Sequence, residues 1–273
     1  MISCTIAKTN FKFDMVSKLM NSQFKKYETN FDGDFVYMKS SIVDEIVVPS
    51  GEPSIKTKYY AVYYIDDSIV QIQLEGDYVY GKITYKKDEC YIEMLNGGVD
   101  RKEYLFTEYA ALYYILQKQE AILIHSSAIK YKDLGILFIA KSGTGKSTQA
   151  RLWKQYEDII QINDDKNILM HENGKLIIYG NPWSGKSVID ENIQVELTNL
   201  IFIYQNKENT IRNLTKREQM LLLLPQITNS SFMYDKNKWD KLTNKLLEID
   251  AKYLGCTISK EAVDTLKNCL EAK

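Results

Sequence analysis

Residues 135–148 read GILFIAKSGTGKST. Gly135 to Ile139 form an apolar run that follows a turn at Lys132-Asp133, which predicts a buried strand. A Gly-rich turn ending in Gly145-Lys146-Ser147 comes next. Beyond it, Ala150, Leu152, Trp153 and Tyr156 recur at helical spacing. A strand feeding such a turn and then a helix is the context in which this pattern binds phosphate. Ser142, Gly143, Thr144 and Gly145 would turn backbone N–H groups toward phosphate oxygens, with the positive end of the helix behind them. Lys146 would reach the β- and γ-phosphates, the Ser147 hydroxyl would ligate Mg²⁺, and Thr148 completes the stretch. Ala140 replaces the first glycine of the pattern, a position that needs a small residue more than a positive φ. The chain is therefore expected to bind a nucleotide.

Asp164-Asp165 lies 18 residues past Lys146. That distance holds one short helix, a turn and a strand, so a right-handed crossover is expected to return the chain beside the loop strand. The pair then sits at the carboxyl end of a parallel strand, where ligands bind in open α/β sheets. One carboxylate could hold Mg²⁺ and the other accept a proton from an attacking hydroxyl. The spacing leaves open which does which. His125, one of two histidines, ends the apolar run Ala121–His125, expected beside the loop strand, and it precedes Ser126-Ser127. It is a candidate to face the γ-phosphate or the metal. Residues 180–186, GNPWSGK, form a turn shaped by Pro and Gly, and Lys186 is a candidate to neutralise charge on the transferring phosphoryl group.

Bulk composition narrows the partners. The chain has 273 residues, 45% apolar and 26% charged, with a net charge of −1. No positive field exists to recruit nucleic acid. Arginine is confined to Arg101, Arg151, Arg212 and Arg217. Cys4, Cys90, Cys256 and Cys269 are widely spaced and form no CxxC, which suits buried or idle thiols in a reducing compartment. The N-terminus lacks a signal-peptide apolar core, and no run of about 18 apolar residues could span a membrane. A cytoplasmic protein is expected.

Two parts are legible. Residues 1–104 are β-rich: 59–65, 68–74, 78–85 and 90–95 alternate or run apolar between turns, as an antiparallel meander would. Its tyrosines suit packing in a sheet with one wet face. Leu105, Tyr109, Leu112, Tyr113 and Leu116 predict a helix over 103–118. Strands at 121–125, 128–131, 135–139, 159–162, 167–171, 175–180 and 197–204 follow, then helices at 215–224, 235–248 and 259–271. The fold expected is α/β (α+β), with residues 105–273 forming the phosphate-loop domain.

A His on a strand, then SGTGKST, then an Asp pair one helix later resembles the HPr kinase and ATP-dependent phosphoenolpyruvate carboxykinase superfamily. The resemblance implies a mixed β-core carrying the loop, with ATP-Mg²⁺ on Lys146 and Ser147. It also implies catalytic roles for Asp164, Asp165 and His125. Thr148 stands where HPr kinase has Glu, its downstream glycine-rich signature is absent, and a carboxykinase needs more arginines. The segment LIHSSAI, the loop and the Asp pair are closer to small HPr-kinase-like proteins of modified-peptide biosynthesis, such as the lasso-peptide serine kinases. The function expected is an ATP- and Mg²⁺-dependent kinase acting on a hydroxyl, of Ser or Thr in a peptide or small protein. Asp164 would be its base, with Asp165 or His125 at the metal. Alternatives are a nucleotide-binding scaffold without transfer chemistry, and a kinase for a hydroxy amino acid or sugar. Some members of the group assemble, so a homo-oligomer stays open.

Overall fold

The computed structural model describes residues 1–185, 188–228 and 232–272. Contacts divide the chain into two units, Met1–Lys118 and Gln119–Lys273. Residue 105, the expected start of the second part, falls inside a helix that packs with the first unit.

The first unit is one eight-stranded sheet with two helices. Its elements are β1 (Ile2–Ile6), β2 (Thr9–Asp14), α1 (Lys18–Phe24), β3 (Val36–Val43), β4 (Ile55–Lys56), β5 (Tyr60–Ile65), β6 (Ser68–Glu75), β7 (Tyr78–Tyr85), β8 (Glu89–Leu95) and α2 (Val99–Lys118). The strand order is β1-β2-β3-β8-β7-β6-β5-β4. From β5 to β8 this is the antiparallel meander expected from the turns at Asp66-Asp67 and Gly76-Asp77. The whole sheet is mixed, however, which corrects the antiparallel expectation: β3 runs parallel to both β2 and β8. The physical reason is connection length. Between β2 and β3 the chain passes through α1, long enough for a parallel return, and β3 and β8 are not joined by a turn at all.

Helix α2 packs on β3, β7 and β8. Phe106, Ala110, Ala111, Tyr114 and Ile115 are fully buried, while Leu105, Tyr109 and Tyr113 of the expected stripe are half-buried at its side. The tyrosines divide similarly: Tyr27, Tyr85 and Tyr114 are buried, and Tyr59, Tyr64 and Tyr78 are exposed. One buried charge organises this unit. Glu103 is 0% exposed, and its carboxylate accepts from Val16 N at 2.9 Å, from Ser17 N at 2.8 Å and from Ser40 Oγ. Glu103→Ala orphans those donors and is expected to destabilise the unit by about 3 kcal/mol, measured as a shift in the urea midpoint at unchanged slope.

The second unit contains β9 (Ala121–His125), β10 (Ser127–Tyr131), β11 (Leu134–Ile139), α3 (Lys146–Tyr156), β12 (Ile159–Asn163), β13 (Lys166–Glu172), β14 (Lys175–Tyr179), β15 (Gln194–Gln205), β16 (Thr210–Asn213), α4 (Lys216–Leu223), α5 (Lys236–Glu248), β17 (Asp250–Cys256) and α6 (Lys260–Glu271). Its nine strands run β12-β10-β11-β15-β14-β13-β9, with β17 on β15 and β16 on β17. The long β15 serves three ladders. Residues 194–196 pair with β14, while 197–202 lie parallel to β11 and 199–205 parallel to β17.

Period-2 alternation sends the side chains of β11 to two cores. Leu137 and Ile139 join a cluster with Leu200, Phe202, Leu242 and Leu246, under α4 and α5. Ile136 and Phe138 join Trp153 of α3 and Leu266 of α6 on the other face. Trp153 is 0% exposed and meets Tyr131 edge-on at 5.1 Å, so it anchors α3 to the sheet. Among the described residues no helix is long and apolar enough to cross a membrane.

All four cysteines are free. Burial pushes the Cys4 thiol up to about 12 and Cys256 to about 11, and it raises Cys90 as well. Cys269 is only half-buried. Iodoacetamide at neutral pH is expected to label Cys269 first and the other three only on unfolding, as read by mass spectrometry of timed digests.

Candidate functional site

The stretch quoted at the outset folds as a strand, a tight turn and a helix: β11 ends at Ile139 and α3 starts at Lys146. Gly143 has φ 81° and Gly145, the helix N-cap, has φ 120°. Both lie in the left-handed region that side chains rarely enter, which is why glycine occupies these positions. The turn is closed by Thr144 N donating to Lys141 O at 3.2 Å. No side chain caps α3, so its first N–H groups and its positive end point toward the turn.

Two expected adjacencies are corrected. Strand β12 does not lie beside β11, because β10 pairs antiparallel with both and sits between them. β12 is thus parallel to β11 one place removed. Strand β9, which His125 ends, pairs with β13 rather than with β11. The reason is the tight turn at Lys132-Asp133, which makes β10 and β11 a hairpin and occupies that edge of β11 before β12 arrives.

The consequence is a bridge that the spacing did not reveal. The first residue of β10, Ser127, lies between the turn and the Asp pair. Its hydroxyl is 3.5 Å from Ser147 Oγ and donates to Asp164 O at 3.4 Å. Ser126 N donates to Asp165 O, which holds the start of β10 against the end of β12.

His125, Lys146 and Asp165 form one line. Lys146 Nζ lies 3.0 Å from His125 Nε2 and donates to Ala140 O at 2.9 Å. His125 Nδ1 lies 2.8 Å from Asp165 Oδ1. An ammonium has no lone pair, so His125 Nε2 accepts from it and the ring proton sits on Nδ1, facing Asp165. The His125 hydrogen bond holds the Asp165 carboxyl below the usual carboxylate range, against the opposing effect of burial. Burial pulls Lys146 below the ordinary lysine range, while Asp165 pushes it back up.

Asp164 is 5% exposed, and its Oδ1 accepts from Gly185 N at 2.7 Å. Among the described residues its other oxygen carries no hydrogen bond. Asn163 sits at the end of β12, not in a turn, and its Oδ1 accepts from Asp165 N at 2.9 Å. Ser142 and Gly143 are exposed in the turn, Thr144 and Thr148 are half-buried, and Thr148 Oγ1 accepts from Arg151 at 3.4 Å. Lys186 lies outside the described residues. His171, the second histidine, is bonded to Glu120 at 2.9 Å.

A cavity of about 510 Å³ adjoins the turn. Gly143, Thr144, Gly145 and Thr148 form one wall, and Gln149, Gln205, Asn206, Cys256, Thr257 and Ile258 form the rest. The far wall is the carboxyl ends of the parallel strands β15 and β17. The cavity lining carries amides, three threonine hydroxyls and the 79%-exposed Ile258, with no charged side chain. No local pattern announces it, because Gln205 and Thr257 lie 59 and 111 residues past Lys146.

No family model matches the chain, and no curated protein matches it. Among solved structures, the Hpr(Ser) kinase/phosphatase from Coxiella burnetii is similar at a TM-score of 0.33 and 11% identity, over 55% of this chain and 93% of that one.

Proposed function

We propose that the chain is a phosphotransferase that uses ATP with Mg²⁺ and moves the γ-phosphoryl to a hydroxyl, best fitted by Ser or Thr of a peptide or small protein. The observation that carries this reading is the line Lys146–His125–Asp165 after β11, with Asp164 offering an oxygen that carries no hydrogen bond among the described residues. A cation, a proton-accepting carboxylate and an uncapped helix N-terminus converge there, and phosphoryl transfer asks for little else.

In this reading the turn amides at 142–145 cradle the phosphates. Lys146 leaves His125 and Ala140 O for the β- and γ-oxygens. The acceptor O–H points at the unengaged oxygen of Asp164. That carboxylate takes the proton as the acceptor oxygen bonds to the γ-phosphorus, and the bond to the β-bridging oxygen breaks to release ADP. The neutral cavity beside the turn takes the nucleoside end of the donor, with Ile258 as an aliphatic face for the base and Gln205 and Asn206 as amide partners.

The residues fit a magnesium ion. Ser147 Oγ and the Asp165 carboxylate are hard oxygen donors, and His125 holds the Asp165 carboxyl below the usual range, which favours its ionised form. When bound, the ion neutralises charge building on the phosphate oxygens.

A neutral acceptor agrees with where two of the arginines sit: Arg212 pairs with Glu218 at 2.8 Å, and Arg151 reaches Thr148. The choice of a peptide rests on the sequence layout of LIHSSAI, loop and Asp pair. Calorimetric titration with ATP and Mg²⁺, followed by a search for ADP and a phosphorylated acceptor, tests the reading. Binding with no turnover on any hydroxyl acceptor would favour a nucleotide-binding scaffold.

A further inference from the structure

We infer that residues 180–185, with the return leg at 190–191, position Asp164, and that the Gly185 amide, held by Asn163 and Asn181, fixes which carboxylate oxygen meets the acceptor. This rests on the kinase reading and adds to it a group of residues that touch neither nucleotide nor acceptor.

The two legs of the loop meet at its neck. Gly180 N donates to Ile193 O at 2.9 Å, and a Cβ on Gly180 would lie 1.7 Å from Glu191 O. The two legs therefore touch through backbone, and only glycine permits it. The return leg docks on β12, where Glu191 N donates to Ile162 O at 2.9 Å and Asp190 bridges Asn163. The outgoing leg docks on the same strand. Asn163 Nδ2 donates to Asn181 O at 3.3 Å and to Trp183 O at 3.0 Å. Asn181 in turn donates to Lys166 O at 2.8 Å and accepts from Trp183 N at 3.1 Å. Asn163 and Asn181 are both 0% exposed and Trp183 is 1% exposed, so the clamp is dry.

The clamp ends at Gly185, whose N–H meets Asp164 Oδ1 at 2.7 Å. A Cβ at Gly185 would lie 3.1 Å from that oxygen, 3.3 Å from Asp164 Cγ and 3.3 Å from Asp165 Cβ. Asn163 also receives Asp165 N on its Oδ1. One buried amide thus ties the loop to the backbone of the Asp pair. The arrangement occupies one oxygen of Asp164 with a backbone donor and aims the other. A misplacement of about 1 Å at such a group costs on the order of 10²-fold in rate.

The test is steady-state transfer of labelled γ-phosphate by the full chain, in wild type and in Gly185→Ala, each with and without Asp164→Asn. Gly185→Ala is expected to lower kcat by about 10- to 100-fold, with the ATP dissociation constant and the thermal midpoint at wild-type values. In the Asp164→Asn background the same change is expected to cost almost nothing, because the group it aims is gone. Asn163→Ala, which releases 181 and 183 without altering residue 185, is the second variant: the same loss of kcat in one background only is expected, with a lowered thermal midpoint because buried polar groups lose their partner. A Gly185→Ala protein with wild-type kcat, or one whose loss is equal in both backgrounds, overturns the inference and leaves the kinase reading standing. A wild type that transfers no phosphoryl removes both.

Discussion

Lys146→Ala is expected to lower phosphoryl transfer by about 10²–10³-fold, equivalent to roughly 3–4 kcal/mol of barrier. The side chain is 6% exposed and already desolvated, and its two bonds, to His125 and Ala140 O, are held at 3.0 and 2.9 Å. Both partners lie within the site, so the ammonium needs only a short swing to reach phosphate oxygens. A cation in so dry a place acts on transferring charge with little solvent screening. The loss should fall on ATP binding as well as on kcat, since the β-phosphate contact is made before transfer. Lys146→Arg is not expected to rescue, because the guanidinium is planar and longer and cannot occupy the same pocket as a point charge. Titration calorimetry and initial rates measure the two components.

The second large effect is expected at Asp164. Asp164→Asn keeps the size and can still accept from Gly185 N, but it removes the proton acceptor. A general base contributes typically 10²–10⁴-fold, and a loss in that range is expected in kcat with ATP affinity close to wild type. The contrast with Lys146→Ala is the useful part. A cation that grips the donor changes both parameters, and a base that serves the acceptor changes one. Equal losses in ATP affinity for the two variants would show that Asp164 works through the metal or the donor instead.

How much of this was readable beforehand depends on how local the cause is. The strands at 78–85 and 121–125 carry their signal in their own alternation or apolar run, and they form at those residues. The turn at 140–145 was legible because glycine at 143 and 145 answers a backbone need that no other residue meets easily. β17 was missed because Lys252 and Gly255 interrupt its apolar pattern. In the fold Lys252 is 7% exposed, bonded to Asp250 at 3.1 Å and to Asn213 of β16 at 2.6 Å. The charge is paired by Asp250, and its burial is completed by an amide oxygen 39 residues away, which no local window contains. β3 was missed for a related reason: its orientation is set by β2 and β8, neither joined to it by a tight turn.

The candidate site shows the same division. His125, Lys146 and Asp165 were singled out by chemistry, and they come together even though the strand order that unites them differs from the expected one. Ser127, Asn163, Asn181 and Gly185 were not singled out as site residues. Each is tied in by a hydrogen bond to a residue that is distant in sequence, or by its backbone alone. Asn163-Asp164-Asp165 reads as turn chemistry, and only the ladder with β10 shows Asn163 to be strand.

The central claim is that the loop after β11 hands a phosphoryl group to a hydroxyl. The most direct measurement is to incubate the full chain with γ-labelled ATP, Mg²⁺ and a set of Ser- and Thr-containing peptides, and to follow the label. Label is expected to leave ATP and appear as an acid-stable phosphate ester on an acceptor, at a rate that Lys146→Ala and Asp164→Asn each reduce by at least about 10²-fold. Label that stays in ATP across all acceptors, or transfer that both variants leave intact, would contradict it.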